Sequence, residues 1–320
     1  MIYKLPSIES ADLNGKIVAV RANLDTLVNP DAPESNQIIK SIISTLNFLL
    51  SKKCKVIVMG TLGNPKGQID DTYSLMDARF AIGHLINKPT KFVNILNSLN
   101  SIKFMNPGEL LILENLKFCP EEVSNHSADW KKMTEHLAKL IDVLVLDTVD
   151  IDYTSGSLKY LMTKKPTYLG YGLQKEILSL KGFVNAKENS SKILILGNES
   201  DIDLNDKTTI EFLNKFEYIY SEKILSEKVK SSIIKSVGDL KEKITESKSV
   251  IWIGALEKDT QDILEYLSLS VGKEITKVLG GRNLVEILNK TKFKDKGINF
   301  ISASGKNLIN ILLGKEIKLH

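Results

Sequence analysis

The chain has 320 residues, 42% of them hydrophobic and 26% charged, with a formal net charge of +4. That length suits two α/β domains of roughly 150 residues each, and a small positive charge on lysines spread along the chain argues against nucleic-acid binding. Cys54 and Cys119 form neither a disulfide framework nor a metal-ligand spacing, and no apolar run has the length of a membrane span or a signal-peptide core, so a cytoplasmic protein is expected.

In chain order, Asn14-Gly15-Lys16 leads into the strand-like run Ile17 to Arg21, which ends on Ala22-Asn23-Leu24-Asp25. A polar loop over 31–36 follows. Apolar residues at Ile39, Ile42, Ile43, Leu46, Leu49 and Leu50 then recur at helical spacing, predicting a helix over Gln37 to Leu50. Lys55 to Met59 carries three β-branched residues in a row and reads as a buried strand. It stops at Gly60, and Gly63, Pro65 and Gly67 punctuate a loop that presents Thr61, Asn64 and Lys66 at the strand's carboxyl end, where open α/β sheets hold ligands.

A helix over Ser74 to Leu85 with Ser74 as its cap, a strand over Thr90 to Val93 after the turn at Asn87-Lys88-Pro89, and a strand from Leu110 into the polar end Glu114 to Phe118 come next. Trp130 to Leu140 is amphipathic, and Val143 to Leu146 is an apolar strand. This alternation predicts a parallel sheet with helices on both faces. Lys165-Pro166-Thr167 is the clearest break. Past it, a helix from Gln174 to about Val184, strands at Lys192 to Leu196, Tyr218 to Tyr220, Ser249 to Ile253 and Ile275 to Leu279, and helices at Ile210 to Phe216 and Gln261 to Ser268 make a second α/β unit.

The ordered series of motifs resembles the phosphoglycerate kinase family. Gly15-Lys16, the strand ending Arg21-x-Asn23-x-Asp25, Leu62-Gly63 with Pro65-Lys66-Gly67, and Leu110 to Phe118 carry it in the first half. Gly172-Leu173-Gln174-Lys175-Glu176, Ile195-Leu196-Gly197, Trp252 with Gly254, Gly280-Gly281 and Leu313-Gly314-Lys315-Glu316 carry it in the second. The resemblance implies two doubly wound parallel-sheet domains, about 1–170 for 3-phosphoglycerate and a shortened 171–320 for Mg-ATP or Mg-ADP, in a monomer. It implies glycolytic phosphotransfer between ATP and 3-phosphoglycerate.

Carried over residue by residue, the resemblance puts Arg21, Asn23, Asp25, Thr61, Asn64 and Lys117 on the substrate side. Gly197, Asn198, Gly254, Gly280, Gly281 and Gly305 fall on the nucleotide side. Many of these positions depart from the family pattern. Ile38 stands where the family has the arginine that contacts the transferred phosphoryl group, Thr61 and Asn64 replace a histidine and an arginine, and Lys117 replaces an arginine. Tyr153, Thr154 and Gly156 replace two histidines and an arginine; Asn198-Glu199-Ser200 lacks the phosphate-facing lysine, Arg282 takes a glycine's place, and Asn283 that of the metal-facing acid. Arg21, Arg79 and Arg282 are the only arginines in the chain, so planar bidentate grips on phosphate are scarce. The expectation is a family member of weak or lost activity, with no catalytic residue intact and no metal ligands. The alternative is a non-catalytic binding or structural protein that keeps the fold.

Overall fold

The computed structural model describes residues 5–25, 37–94, 100–124, 127–148, 156–184, 191–198, 202–269, 275–291, 297–302 and 305–313. A first compact unit runs from the N-terminus to Ile177, and a second begins at Leu178. The division falls within the helix Tyr171–Val184.

The first unit is built on six parallel strands: β1 (Ile17–Arg21), β2 (Lys55–Met59), β3 (Thr90–Val93), β4 (Leu110–Leu113), β5 (Val143–Leu146) and β6 (Thr167–Leu169). Their order is β3-β4-β2-β1-β5-β6. β1 sits between β2 and β5, with Val18 opposite both Val56 and Val143. A strand covered on both faces needs an unbroken apolar run, and that is the composition of β4 and β5, and of β2 after Lys55. The helices Ile43–Ser51 and Met76–Ile86 cover the sheet through Leu46, Leu49, Ala78 and Ile82, all buried with Val20, Val56 and Ile112 in one core.

The second unit repeats the plan with β7 (Lys192–Leu196), β8 (Tyr218–Ser221), β9 (Ser232–Ile234), β10 (Ser249–Ile253), β11 (Thr276–Gly280) and β12 (Phe300–Ser302). Their order is β12-β11-β10-β7-β8-β9, again all parallel. Trp252, with no exposed surface, centres its core among Ile195, Leu264, Leu279 and Leu284. The described residues of the second half thus keep as many strands as the first half.

Several boundaries move from where the sequence puts them. The predicted helix over Gln37 to Leu50 is split into Gln37–Ser41 and Ile43–Ser51. The helix expected from Ser74 starts at Met76, although the Ser74 hydroxyl still accepts the Met76 amide at 3.2 Å. Leu110 to Phe118 is a strand only to Leu113, followed by a single 3₁₀ turn over Leu116–Phe118. The helix expected over Ile210 to Phe216 lies at Lys207–Leu213, because Asp206 caps it by accepting the amides of Thr208 and Thr209.

Candidate functional site

At the carboxyl ends of β1, β2 and β4 the first unit gathers its predicted substrate-side residues around the loop that follows β2. Asn23 and Asp25 follow β1 as a tight polar turn in which the Asn23 side-chain oxygen accepts the Asp25 amide at 2.8 Å. The Asp25 carboxylate then accepts the Gly63 amide at 2.9 Å, and the Lys117 ammonium donates to the Gly63 carbonyl at 2.8 Å. Gly63 has φ of +60°, and a Cβ there would meet the Tyr73 ring at 2.3 Å, so only glycine fits.

Asn115 completes the clamp. It is fully buried, its amide nitrogen donates to the carbonyls of Leu62 at 2.7 Å and Tyr73 at 2.9 Å, and its oxygen accepts the Lys117 amide at 3.1 Å. Glu114 beside it accepts the Ser74 hydroxyl and the Leu75 and Asn115 amides. Neither residue draws notice as a site residue from sequence. Their signals are membership of the Leu110 to Phe118 motif and position, two polar residues directly after the wholly apolar β4, where a buried amide needs partners from elsewhere in the fold.

Of the cations at these strand ends, Lys66 is exposed on the loop after β2, while Arg21 and Lys117 are engaged by the protein itself. Arg21, 5% exposed, donates from Nη1 to the carbonyls of Ala22 at 3.2 Å and Met59 at 3.3 Å. Burial pushes the Glu122 carboxyl up from its usual range, against the pull of the Ser157 amide, Arg21, the Ser157 hydroxyl and Lys117. Arg21 and Lys117 therefore both act on an internal carboxylate. Thr61 is half-buried and Asn64 exposed on the same loop. Ile38 lies in the helix Gln37–Ser41, but its side chain, like the loop over 31–36 and the segment holding Tyr153 and Thr154, is outside the described residues.

In the second unit the predicted nucleotide-side glycines do meet at the carboxyl ends of β7, β10 and β11, where their backbone groups pair with one another. The Gly197 amide donates to Ile253, the Asn198 amide to Ala255 and the Gly254 amide to Gly280, each at 2.8 Å. Asn198 and Ala255 form an isolated antiparallel bridge. A Cβ on Gly197 would lie 2.4 Å from the Ala255 carbonyl oxygen, so this glycine serves backbone approach. The Leu256 amide goes to the Thr260 hydroxyl, the Glu257 amide to the Glu222 carboxylate and the Gly281 amide to Ser302.

A Cβ on Gly280 would meet a Leu308 methyl at 2.5 Å, and Gly305 is buried where the helix Gly305–Leu312 begins. Asn198 and Asn283 are exposed. Burial and the carboxylates of Asp259 and Glu222 raise the Tyr220 phenol, so the field at this corner is negative. Glu199, Ser200 and Ser304 fall outside the described residues, as does the stretch 314–320. Among the described residues no group of three or more His, Cys, Asp and Glu side chains could hold a metal ion, and no helix is long and apolar enough to cross a membrane.

Both cysteines are buried. Burial pushes the Cys54 thiol up to about 11 and the Cys119 thiol up to about 12, which leaves neither as a nucleophile near neutral pH.

Compared with known proteins, residues 8–216 match the family model for phosphoglycerate kinase. Phosphoglycerate kinase of Synechococcus sp. (strain CC9311) is 32% identical over 226 residues, covering 64% of this chain and 54% of that protein. That of Kluyveromyces lactis is 26% identical over 223 residues, covering 61% and 53%. The chain spans about half the length of the curated relatives it matches. The crystal structure of phosphoglycerate kinase from Pyrococcus horikoshii OT3 superposes with a TM-score of 0.80 over 98% of this chain and 97% of that one, at 16% identity, a likeness of fold.

Proposed function

The chain belongs to the phosphoglycerate kinase family, and we propose that it keeps that family's fold as a binding or structural protein while the phosphotransfer between ATP and 3-phosphoglycerate is feeble or lost. The observation that carries this reading is the self-pairing of the second unit's strand ends. A phosphate cradle works by aiming main-chain N–H groups outward at an anion. Here the amides of Gly197, Asn198, Gly254, Leu256 and Gly281 are donated to oxygens of the unit itself, and that of Glu257 to the exposed Glu222 carboxylate.

The donor set suits Mg-nucleotide poorly for the same reason. Asn198 and Asn283 are neutral and exposed, and supply neither a cation for a phosphate nor an anion for Mg²⁺. On the substrate side, the family's arginine is represented by Ile38, and Arg21 and Lys117 are turned to main-chain carbonyls. A missing arginine at a transferring phosphoryl group costs about 10³ to 10⁵ in rate, and groups that act as a unit fail together.

The test is ATP-dependent consumption of 3-phosphoglycerate by the full chain, beside calorimetric titration with Mg-ADP. The expected result is a rate at least about 10³-fold below an authentic family enzyme and no saturable heat. A rate within tenfold of that enzyme would overturn the proposal.

A further inference from the structure

Asp147 follows β5 directly and is fully buried. Its Oδ1 accepts the Thr45 hydroxyl at 2.6 Å and the Gly172 amide at 2.9 Å, while the same Thr45 oxygen accepts the Tyr171 amide at 2.8 Å. Two main-chain N–H groups at the start of the helix Tyr171–Val184 are thereby tied, one directly and one through Thr45, to a single carboxyl oxygen. The other oxygen, Oδ2, is buried with no hydrogen-bond partner among the described residues. The chain is pressed tightly here, since a Cβ on Gly170 would lie 2.0 Å from Oδ1 and one on Gly172 would lie 2.7 Å from the Asp147 carbonyl oxygen.

The surrounding charges do not relieve Asp147. On the neighbouring β1, Arg21 donates to the carbonyls of Ala22 and Met59. The helix Ile43–Ser51 has no charged side chain, and on the helix Tyr171–Val184 Glu176 is taken by the Thr148 hydroxyl. Glu9, near that helix start, accepts the Tyr171 hydroxyl, and Lys175 is exposed. Burial alone raises the Asp147 carboxyl, to about 7, against the pull of Thr45 and of the Gly172 and Leu173 amides.

We propose that Asp147, Thr45 and Gly172 form a proton-operated latch on the first turn of the helix in which the chain passes from its first unit to its second. With a proton on Asp147 the latch is closed: the carboxyl is neutral, Oδ2 needs no counter-charge, and Oδ1 still receives Thr45 and Gly172. When the proton leaves, a bare carboxylate oxygen is held away from water, and the helix start opens to hydrate it. A carboxyl whose closed-state value is raised favours the closed state below the ordinary carboxylate range. That advantage is lost as pH rises through the closed-state value.

Amide hydrogen exchange of the full chain, read residue by residue by NMR across pH 5 to 6.5, tests this. The closed state holds one more proton than the open one in that window, so protection of the Tyr171 and Gly172 amides falls about tenfold per pH unit in wild type and is flat in Asp147→Asn. Their protection is also lower than that of Val20 and Val145 in the sheet. Flat protection in wild type, the same slope in Asp147→Asn, or protection equal to that of Val20 and Val145 at every pH would each overturn the latch. The Asp147 Cγ resonance of wild type decides independently of any variant, since a titration midpoint in the ordinary aspartate range removes the basis of the proposal.

Discussion

Asp25 and Lys117 meet at one residue. The carboxylate takes the amide of Gly63 at 2.9 Å and the ammonium takes its carbonyl at 2.8 Å, so two side chains of opposite sign grip the two polar groups of a single glycine. Both residues occupy substrate-side positions by family resemblance. What they hold in this chain is the loop itself.

Asn115 is the residue on which that loop depends most. Asn115→Ala leaves the carbonyls of Leu62 and Tyr73 buried without their donor, and the expected loss is about 2–4 kcal/mol of unfolding free energy in a urea titration. A loss under about 0.5 kcal/mol would mean the loop is held elsewhere.

Affinity for 3-phosphoglycerate is expected to be weaker than micromolar at physiological salt. Lys117 and Arg21 would have to leave carbonyl partners and the field of Glu122 to meet a phosphate, and what each gains there is offset by the hydrogen bonds it gives up. Calorimetric titration checks this, and a micromolar Kd would contradict it.

Restoring one arginine is expected to restore little. If only the phosphoryl clamp were absent, Ile38→Arg would raise the rate by something approaching ~10³ to 10⁵. Less than tenfold is expected instead, because the strand-end amides of the second unit stay paired within it. The comparison is of wild type and variant, at matched folding, in the ATP and 3-phosphoglycerate assay. A hundredfold rise would identify a damaged enzyme with the rest of its machinery in place.

Lys277 sets a pH dependence in the second unit. It is 3% exposed, its ammonium donates to the Leu267 carbonyl at 2.7 Å, and burial pulls its pKa down. A lysine depressed in the fold binds fewer protons there than in the unfolded chain, so its contribution to stability rises with pH toward the ordinary lysine range. Subtracting the Tm of Lys277→Met from that of wild type between pH 7 and 10 should give a difference that climbs with pH. A constant difference would show that the amine carries no such penalty.

How much the sequence shows depends on whether the cause of an element is local. β2 and β5 are legible to the residue because a short apolar run bounded by polar residues has one good place in a parallel sheet. β9 goes unread because Ser232 and Ile233 are exposed on an edge strand of three residues, and β6 because Pro166 immediately before Thr167 looks like a break. The helix expected from Gln174 begins at Tyr171 because its cap is Asp147 on another element, and Gly170-Tyr171-Gly172 by itself spells a turn. The site follows the same division. The glycines and polar residues at strand ends are visible, but which carbonyl or amide each one meets is decided by neighbours far along the chain.

The place of β1 between β2 and β5 has a consequence for how the first unit is made. The Ile17 amide is held by the Asp142 carboxylate, 125 residues later, and β1 gains its second neighbour only through Val143 to Leu146. An emerging chain can therefore pair β1 with β2 early, yet it leaves the other edge of its central strand bare until β5 has left the ribosome. Parallel pairing at such long separation is slow to form, and an unpaired strand edge is open to wrong pairing in the interval.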